Sequence, residues 1–344
     1  MLGSPGNAFC NTFQMNILIT GGSGFLGARL ATALLKAGAL SVGGGSARSI
    51  GRLVLTDINE PPVALQADSR VHFLKGSLQS VLRDGLPGPE VDLVFHLAAA
   101  VSAECEANFD LGMSSNLQAA IDLLQACRAS GRTPTVVFAS SVAVFGRRTG
   151  ESWEGVTVDD DTLPTPQSSY GIQKFVGEQL MADFGRKGYI KARAVRLMTV
   201  SVRPGRPNGA ASGFLSGMIR EPLAGVRAQV PVNPDTRVAL SSPSTSIDGL
   251  IRAAQASDDE WGPLTAMNLP SLTTTVGAMA DTLLRKAGPE AHGLLDWAPD
   301  PTVARIVGGW PSQLKASRAA GLGLMPDASF DDIMDQYLRE QGAP

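Results

Sequence analysis

The sequence Thr20-Gly21-Gly22-Ser23-Gly24-Phe25-Leu26-Gly27 joins an apolar run to a helix-forming segment. The run before it, residues 15–19, is typical of a buried parallel strand, and the segment after it stops at Gly38. Glycines spaced three apart between a strand and a helix are a dinucleotide-binding pattern, because they allow a tight turn and let a pyrophosphate approach the helix N-terminus. Three glycines can also mark an ordinary turn, but the matching flanks favour the binding site.

Length and composition limit the class of protein. The chain has 344 residues, enough for one large α/β domain or for one domain with a smaller lobe. Apolar residues make up 44% and charged residues 18%, as in soluble globular proteins. The net charge of −3 and the lack of any Lys/Arg block argue against a nucleic-acid or membrane partner. No apolar run approaches the roughly 18 residues of a membrane span.

The cysteines, the histidines and the first residues of the chain further limit the expected cell compartment and metal content. Cys10, Cys105 and Cys127 are odd in number and unpatterned, which predicts a reducing cytoplasm and no disulfide framework. The three histidines lack metal-ligand spacing, so no metal is expected, and His96 is predicted to be a core residue. Residues 1–14 are interpreted as a flexible extension rather than a secretion signal.

Strand and helix patterns alternate along the chain, which predicts an α/β fold with a doubly wound parallel sheet. The NAD-binding Rossmann domain is expected at residues 15–200 with a contribution from about 236–255, and residues 201–344 mostly form a smaller, interleaved substrate lobe. The loop at 41–50 is interpreted as a mobile surface insertion, and Trp297 and Trp310 as packing residues. The other predicted strands cover residues 52–57, 71–74, 91–100, 135–139, 236–240 and 266–269, and the predicted helices cover residues 28–36, 104–129, 170–186, 245–254 (capped near Ser246), 275–286 and 331–339.

Asp57 ends the second predicted strand. In this fold an acid there accepts hydrogen bonds from the adenosine ribose, and its charge repels a 2′-phosphate. No Arg follows it directly, so NAD is favoured over NADP; the alternative is a surface Asp in a turn.

Ser141, Tyr170 and Lys174 suggest proton-transfer chemistry. Ser141 follows the fifth predicted strand, and a Tyr and a Lys four residues apart lie on one face of a helix. The nearby ammonium is expected to lower the pKa of Tyr170 from its usual value near 10.

The order of these elements resembles the extended short-chain dehydrogenase/reductase superfamily, the NAD-dependent epimerases and dehydratases. The resemblance implies that Tyr170 is the acid/base, that Ser141 hydrogen-bonds the reacting oxygen, and that Lys174 binds the nicotinamide ribose. Asn116 matches a helix Asn used for structure or proton relay. A homodimer through the helices at 104–129 and 169–186 is also implied. The NAD-contacting residues implied are Gly21, Gly24, Phe25, Leu26, Asp57, Ser77, Leu78, Ala98, Tyr170 and Lys174.

The sequence differs from the superfamily pattern at two places, and both differences affect which ligands are expected. Ser77 stands where the superfamily often has an Asp against the adenine. Thr199 replaces an Asn that holds the sugar diphosphate in nucleotide-sugar enzymes, which disfavours such substrates. Segments 203–214 and 219–223 instead resemble the D-erythronate dehydrogenase group, which oxidises the 2-hydroxyl of a short aldonic acid with NAD.

Arg203 is the predicted site for the substrate carboxylate, because its planar fork donates two parallel hydrogen bonds. The other expected substrate contacts are Ser141, Tyr170, Thr199, Asn208 and Ser212. Arg203 could instead pair with a loop acid. Two other functions stay open: a nucleotide-sugar epimerase or dehydratase with tightly bound NAD, and an NAD-sensing protein without activity.

Overall fold

The computed structural model describes residues 14–342 except 87, 89, 149, 206–209 and 264–265. Its strands are β1 Met15–Thr20, β2 Ala39–Leu40, β3 Arg48–Asp57, β4 Val71–Lys75, β5 Leu93–His96, β6 Thr135–Ser141, β7 Lys191–Leu197, β8 Thr199–Val200, β9 Ala228–Val230, β10 Arg237–Ser241, β11 Ala266–Asn268, β12 Leu272–Thr275 and β13 Leu295–Trp297. Its helices are α1 Phe25–Ala37, α2 Val63–Gln66, α3 Leu78–Arg83, α4 Ser102–Ala107, α5 Phe109–Gly112, α6 Ala119–Ala129, α7 Ser169–Arg186, α8 Phe214–Leu223, α9 Pro243–Gln255, α10 Asp258–Trp261, α11 Val276–His292, α12 Pro301–Gly308, α13 Ser317–Gly321 and α14 Phe330–Glu340.

The main sheet has the order β11-β7-β6-β5-β1-β3-β2, and β4 also pairs with β3. All of its pairings are parallel except β2 with β3. Thr20, at the end of β1, lies opposite both Thr56 and His96, so three central strands end at one edge. The predicted doubly wound parallel sheet is confirmed, and this edge is where such sheets bind ligands.

Both faces of the sheet are buried. Ile17, Ile19 and Phe95 face the side that α1 and α9 cover, whereas Leu18 and Val94 belong to the cluster on the α6 and α7 side. Successive side chains of a strand point to opposite faces, so an uninterrupted apolar run fits a strand covered on both sides.

The smaller lobe has its own core and two small sheets, β12-β10-β8 and β13-β9. The strand predicted at 236–240 therefore pairs outside the NAD-binding sheet, unlike the prediction, because β10 meets the short β8 that leaves the main sheet after Leu197. The chain returns to the main sheet with α9, which packs against β6 and β7, and with β11.

The segment at 41–50 is anchored, in contrast to the mobile insertion predicted. Residues 39–40 pair with residues 48–49, so β3 begins four residues earlier than expected. The backbone N–H groups of Gly43 and Gly44 donate to the carbonyls of Ala254 and Gln255 at 2.9 and 2.8 Å. These bonds fasten the loop to the end of α9.

Two helix predictions were wrong in detail. The long helix expected at 104–129 breaks at Asn108, whose φ of −140° and ψ of 94° are extended and whose side chain caps α5. A π-helical turn, Met113–Gln118, then leads into α6. The cap of α9 is Ser242, which accepts from the Thr245 N–H, while Ser246 is buried inside that helix.

Two kinds of feature are absent from the part of the chain that the structure describes. No helix there has the length and apolar character needed to cross a membrane. Nor does any group of three or more His, Cys, Asp or Glu residues there form a metal cage. Cys105 and Cys127 are buried free thiols.

Candidate active site

The glycine-rich turn brings the backbone close to the start of α1. Gly21 has φ 70°, and a Cβ there would lie 2.8 Å from the Ala98 nitrogen. A Cβ on Gly27 would lie 2.0 Å from the Gly21 carbonyl oxygen, so glycine is required at both positions. No side chain caps α1 at Gly24. The exposed helix N-terminus therefore fits the pyrophosphate of a dinucleotide.

The predicted adenosine-side residues lie around this turn. The Asp57 carboxylate accepts from the N–H groups of Ser23 and Asn59 at 3.1 and 3.0 Å, which ties the end of β3 to the turn. Carboxylate oxygens have further lone pairs for ribose hydroxyls. Ser77 caps α3 by accepting from the Ser80 N–H at 3.2 Å.

A cavity of about 340 Å³ lies at the carboxyl ends of the strands. It gathers ten of the residues predicted from sequence: Gly21, Gly24, Phe25, Leu26, Ser141, Tyr170, Lys174, Thr199, Arg203 and Ser212. Four others, Asp57, Ser77, Leu78 and Ala98, are outside its lining. Asn208 lies outside the described residues.

The helix α7 places Tyr170 and Lys174 beside Ser141. The Ser168 hydroxyl caps α7 by accepting from the Gly171 N–H at 3.1 Å. A Cβ on Gly171 would lie 2.2 Å from the Ala143 carbonyl oxygen, so this helix packs tightly against the turn after Ser141. The Lys174 ammonium donates to the Ala139 carbonyl at 2.8 Å and is almost fully buried. The three side chains predicted to be catalytic, Ser141, Tyr170 and Lys174, therefore lie together on one wall of the cavity.

Burial controls the titration of these groups. It raises the pKa of Tyr170 to about 12, against the lowering effects of the Ser141 hydrogen bond and the Arg203 charge. Burial also lowers the pKa of Lys174 to about 8. The expectation that Lys174 moves the pKa of Tyr170 below its usual value was wrong for this arrangement, because desolvation of the phenolate outweighs the nearby charges.

Arg203 enters the cavity from the loop after β8. Its backbone N–H donates to the Ser216 hydroxyl at 3.0 Å, and its carbonyl accepts from Arg220 Nη1 at 2.8 Å. Burial lowers the pKa of the Arg203 guanidinium. Among the described residues, that guanidinium forms no hydrogen bond or salt bridge to an acid, so a cation without a partner faces the cavity.

A buried polar network behind Ser141 and Lys174 was missed from the sequence. The Glu178 carboxylate accepts from the Ser140 hydroxyl at 2.5 Å and from Arg196 Nε and Nη2 at 2.9 and 2.7 Å. Arg196 Nη1 also donates to Asn268 at 3.4 Å. The spacing of Glu178, four residues after Lys174, was the available signal, since it extends the same helical face.

Three more residues shape the site in addition to the predicted catalytic and binding set. Asn116 is buried, accepts from the Ala100 N–H at 2.7 Å and donates to Gln173 at 2.9 Å. Ser102 lines the cavity and accepts from the Ala211 N–H at 3.2 Å, which holds the loop before Ser212. Trp310, predicted only to pack, packs against the lobe core and also lines the cavity.

The fold and the glycine-turn site are those of an NAD-dependent oxidoreductase, and residues 17–237 match the NAD dependent epimerase/dehydratase family. The chain belongs to this family, which confirms the predicted superfamily and cofactor. It is 44% identical to the D-erythronate dehydrogenase of Cupriavidus necator over 95% of this chain and 99% of that protein. The D-erythronate dehydrogenase of Haemophilus influenzae is 37% identical over 94% of this chain and 99% of that protein. A solved nucleoside-diphosphate-sugar epimerase from Agrobacterium tumefaciens is similar with a TM-score of 0.83 and 33% identity, covering 99% of each chain.

Proposed function

We propose that the protein oxidises the 2-hydroxyl of a short aldonic acid, such as D-erythronate, to the 2-keto acid with NAD. The observation that carries this proposal is the Arg203 guanidinium, which shares one cavity with Ser141, Tyr170 and Lys174 and has no acid partner among the described residues. A substrate carboxylate complements such a group in charge and shape. The two relatives named D-erythronate dehydrogenase support the same substrate class.

Each residue then has a defined role. The start of α1 holds the pyrophosphate, Asp57 the adenosine ribose and Lys174 the nicotinamide ribose. NAD, when bound, supplies the acceptor for the hydride that leaves C2 of the acid. Arg203, with Thr199 and Ser212, holds the carboxylate end of the substrate.

Proton transfer is assigned to Tyr170. Its phenolate takes the proton of the 2-hydroxyl as the carbon–oxygen double bond forms, and the Ser141 hydroxyl donates to the oxygen on which charge develops. With a pKa of about 12, Tyr170 carries its proton at neutral pH. That form serves the reverse reduction, and oxidation should become faster as the pH rises.

The second candidate is a nucleotide-sugar epimerase, which the likeness to the Agrobacterium epimerase structure favours. Such an enzyme regenerates its cofactor within each cycle and gives no net redox change. Thr199 in place of the expected Asn argues against it.

An initial-rate assay tests the proposal. Purified protein should produce NADH absorbance with D-erythronate or a related four-carbon aldonate. No absorbance change with a panel of such acids, together with turnover of simple alcohols or steroids, would contradict the substrate class. NAD retained by the isolated protein and released on denaturation, as detected by mass spectrometry, would favour the epimerase.

We also propose that the protein is a homodimer through α5, the π-helical turn and α7. These elements pack side by side and expose Phe109, Leu111, Met113 and Ile172, with Phe109 60% exposed. Exposed apolar side chains on neighbouring elements favour a partner that presents the same residues. Light scattering should give twice the monomer mass, and Ile172→Glu should lower it.

A further inference from the structure

Trp310 lies at the boundary of two cavities. It lines the catalytic cavity and also a second cavity of about 470 Å³. Among the residues that the structure describes, Ala143 is the one other residue to line both. The Ala143 N–H donates to the Ser141 hydroxyl at 3.1 Å. The boundary therefore lies directly beside the catalytic serine.

The segment that carries Trp310 is held on both sides. Before it, the Gly309 carbonyl accepts from Trp153 Nε1 at 2.8 Å. After it, the Ser312 carbonyl accepts from the Thr273 hydroxyl at 2.6 Å. The indole also packs against the core of the smaller lobe. Because the indole packs against this core and its neighbours in the chain are hydrogen-bonded, Trp310 forms a wall between the two cavities.

The two cavities differ in their polar groups. Arg203, Thr199 and Ser212 line the catalytic cavity and not the second. The second cavity offers donors and acceptors to hydroxyl groups from Arg147, Arg148, Gln167, Ser168 and Arg305. Trp310 and Ala143 therefore stand between the cavity that holds Arg203 and Ser141 and this second set of polar groups.

We propose that Trp310 sets the longest aldonic acid that the enzyme accepts. This inference rests on the proposed function. With the carboxylate on Arg203 and C2 beside Ser141 and Tyr170, the indole closes the space beyond a four-carbon chain. The hydroxyl-bearing end of a five- or six-carbon acid meets the indole, and its removal opens the second cavity to that end.

The experiment compares kcat/KM for four-, five- and six-carbon aldonates between the wild type and Trp310→Ala. We expect the six-carbon to four-carbon ratio to rise by roughly tenfold or more, the scale on which a pocket wall discriminates between neighbouring homologues. Trp310→Leu removes the indole but keeps a branched apolar side chain that fills part of its space, so it should show a smaller rise. If Trp310→Ala unfolds at a lower temperature than the wild type, Trp310→Leu takes its place in the comparison.

Trp297→Leu is the matched control, because Trp297 packs against the same lobe core and does not line the catalytic cavity. Its ratio should equal that of the wild type. A wild type that oxidises no aldonate of any length contradicts the proposed function. A wild type active on D-erythronate, with folded Trp310 variants whose ratios are unchanged, overturns the role of Trp310.

Discussion

The backbone N–H of Arg203 donates to the hydroxyl of Ser216, a side chain in the first turn of α8 that is 1% exposed. One turn later on the same helix, Arg220 donates to the Arg203 carbonyl. Both polar backbone atoms of Arg203 are therefore held by α8, and its guanidinium is left to interact with a ligand in the cavity.

Arg203→Met should raise the KM for the aldonate by roughly 10- to 100-fold, because a hydrogen-bonded ion pair to the carboxylate contributes about 1.5–3 kcal/mol. NAD affinity and the melting temperature should stay close to wild type. Steady-state kinetics and thermal unfolding measure these quantities. Arg227→Met, which removes an exposed positive charge, is the control. A variant that melts early and keeps its KM would show that Arg203 is structural.

Tyr170→Phe should lower kcat by roughly 10²-fold or more, since the ring remains while the group that exchanges the proton is lost. NAD binding, measured by calorimetry, should be retained. The control is Tyr189→Phe, whose ring packs against Phe184 outside the cavity. Turnover like that of the wild type in Tyr170→Phe would remove this residue from the mechanism.

Asp57→Asn should narrow the preference for NAD over NADP by roughly tenfold, or about 1.4 kcal/mol, because the charge that repels a 2′-phosphate is gone. The Asn oxygen can still accept from the Ser23 N–H, so the glycine turn keeps its support. Asp57→Ala loses that bond as well and should weaken the binding of both cofactors. Equal use of NAD and NADP by the wild type would contradict the role of Asp57.

His96 should make the fold sensitive to acid. Its imidazole is buried, shares a 2.7 Å hydrogen bond with Thr20, and has a pKa lowered to about 3 by burial and by Lys174. Between about pH 6.5 and pH 3 the unfolded chain binds a proton that the folded protein does not. The free energy of unfolding should therefore fall with decreasing pH, by up to about 1.4 kcal/mol per unit.

Urea unfolding at pH 7 and pH 5 checks this expectation. His96→Gln should lose less stability between the two pH values than the wild type does. His72→Gln, at an exposed strand position, is the control for removing an imidazole. Equal losses in the wild type and His96→Gln would show that other groups cause the acid sensitivity.

Local patterns in the sequence predicted that Ser141, Tyr170 and Lys174 lie together, whereas contacts between distant parts of the chain could not be predicted from such patterns. The four-residue spacing of Tyr170 and Lys174 needs only a helix to bring them together. The pairing of Glu178 with Arg196 depends on how α7 lies against β7, and this is a tertiary property. The position of Trp310 beside the cavity likewise depends on how the whole smaller lobe folds.

Helix ends were less predictable for a related reason. The side chain of an Asn can hydrogen-bond nearby backbone and so favours helix caps, and Asn108 caps α5 where α4 and α5 pack separately against α7. Serine is a favourable N-cap residue, so by residue type either Ser242 or Ser246 could begin the helix. The earlier one is the cap because Pro243 fits the first helical turn and Asp327 accepts from the Ser242 N–H.

The edge strand β11 has a consequence for synthesis on the ribosome. It pairs with β7, yet about seventy residues of chain separate the two strands. Until residues 266–268 emerge, β7 is an open edge with unpaired backbone groups, a surface that recruits strands from other chains. Fragments that stop near residue 200 or 260 should therefore aggregate, and an expression design for the cofactor-binding half must extend beyond Asn268.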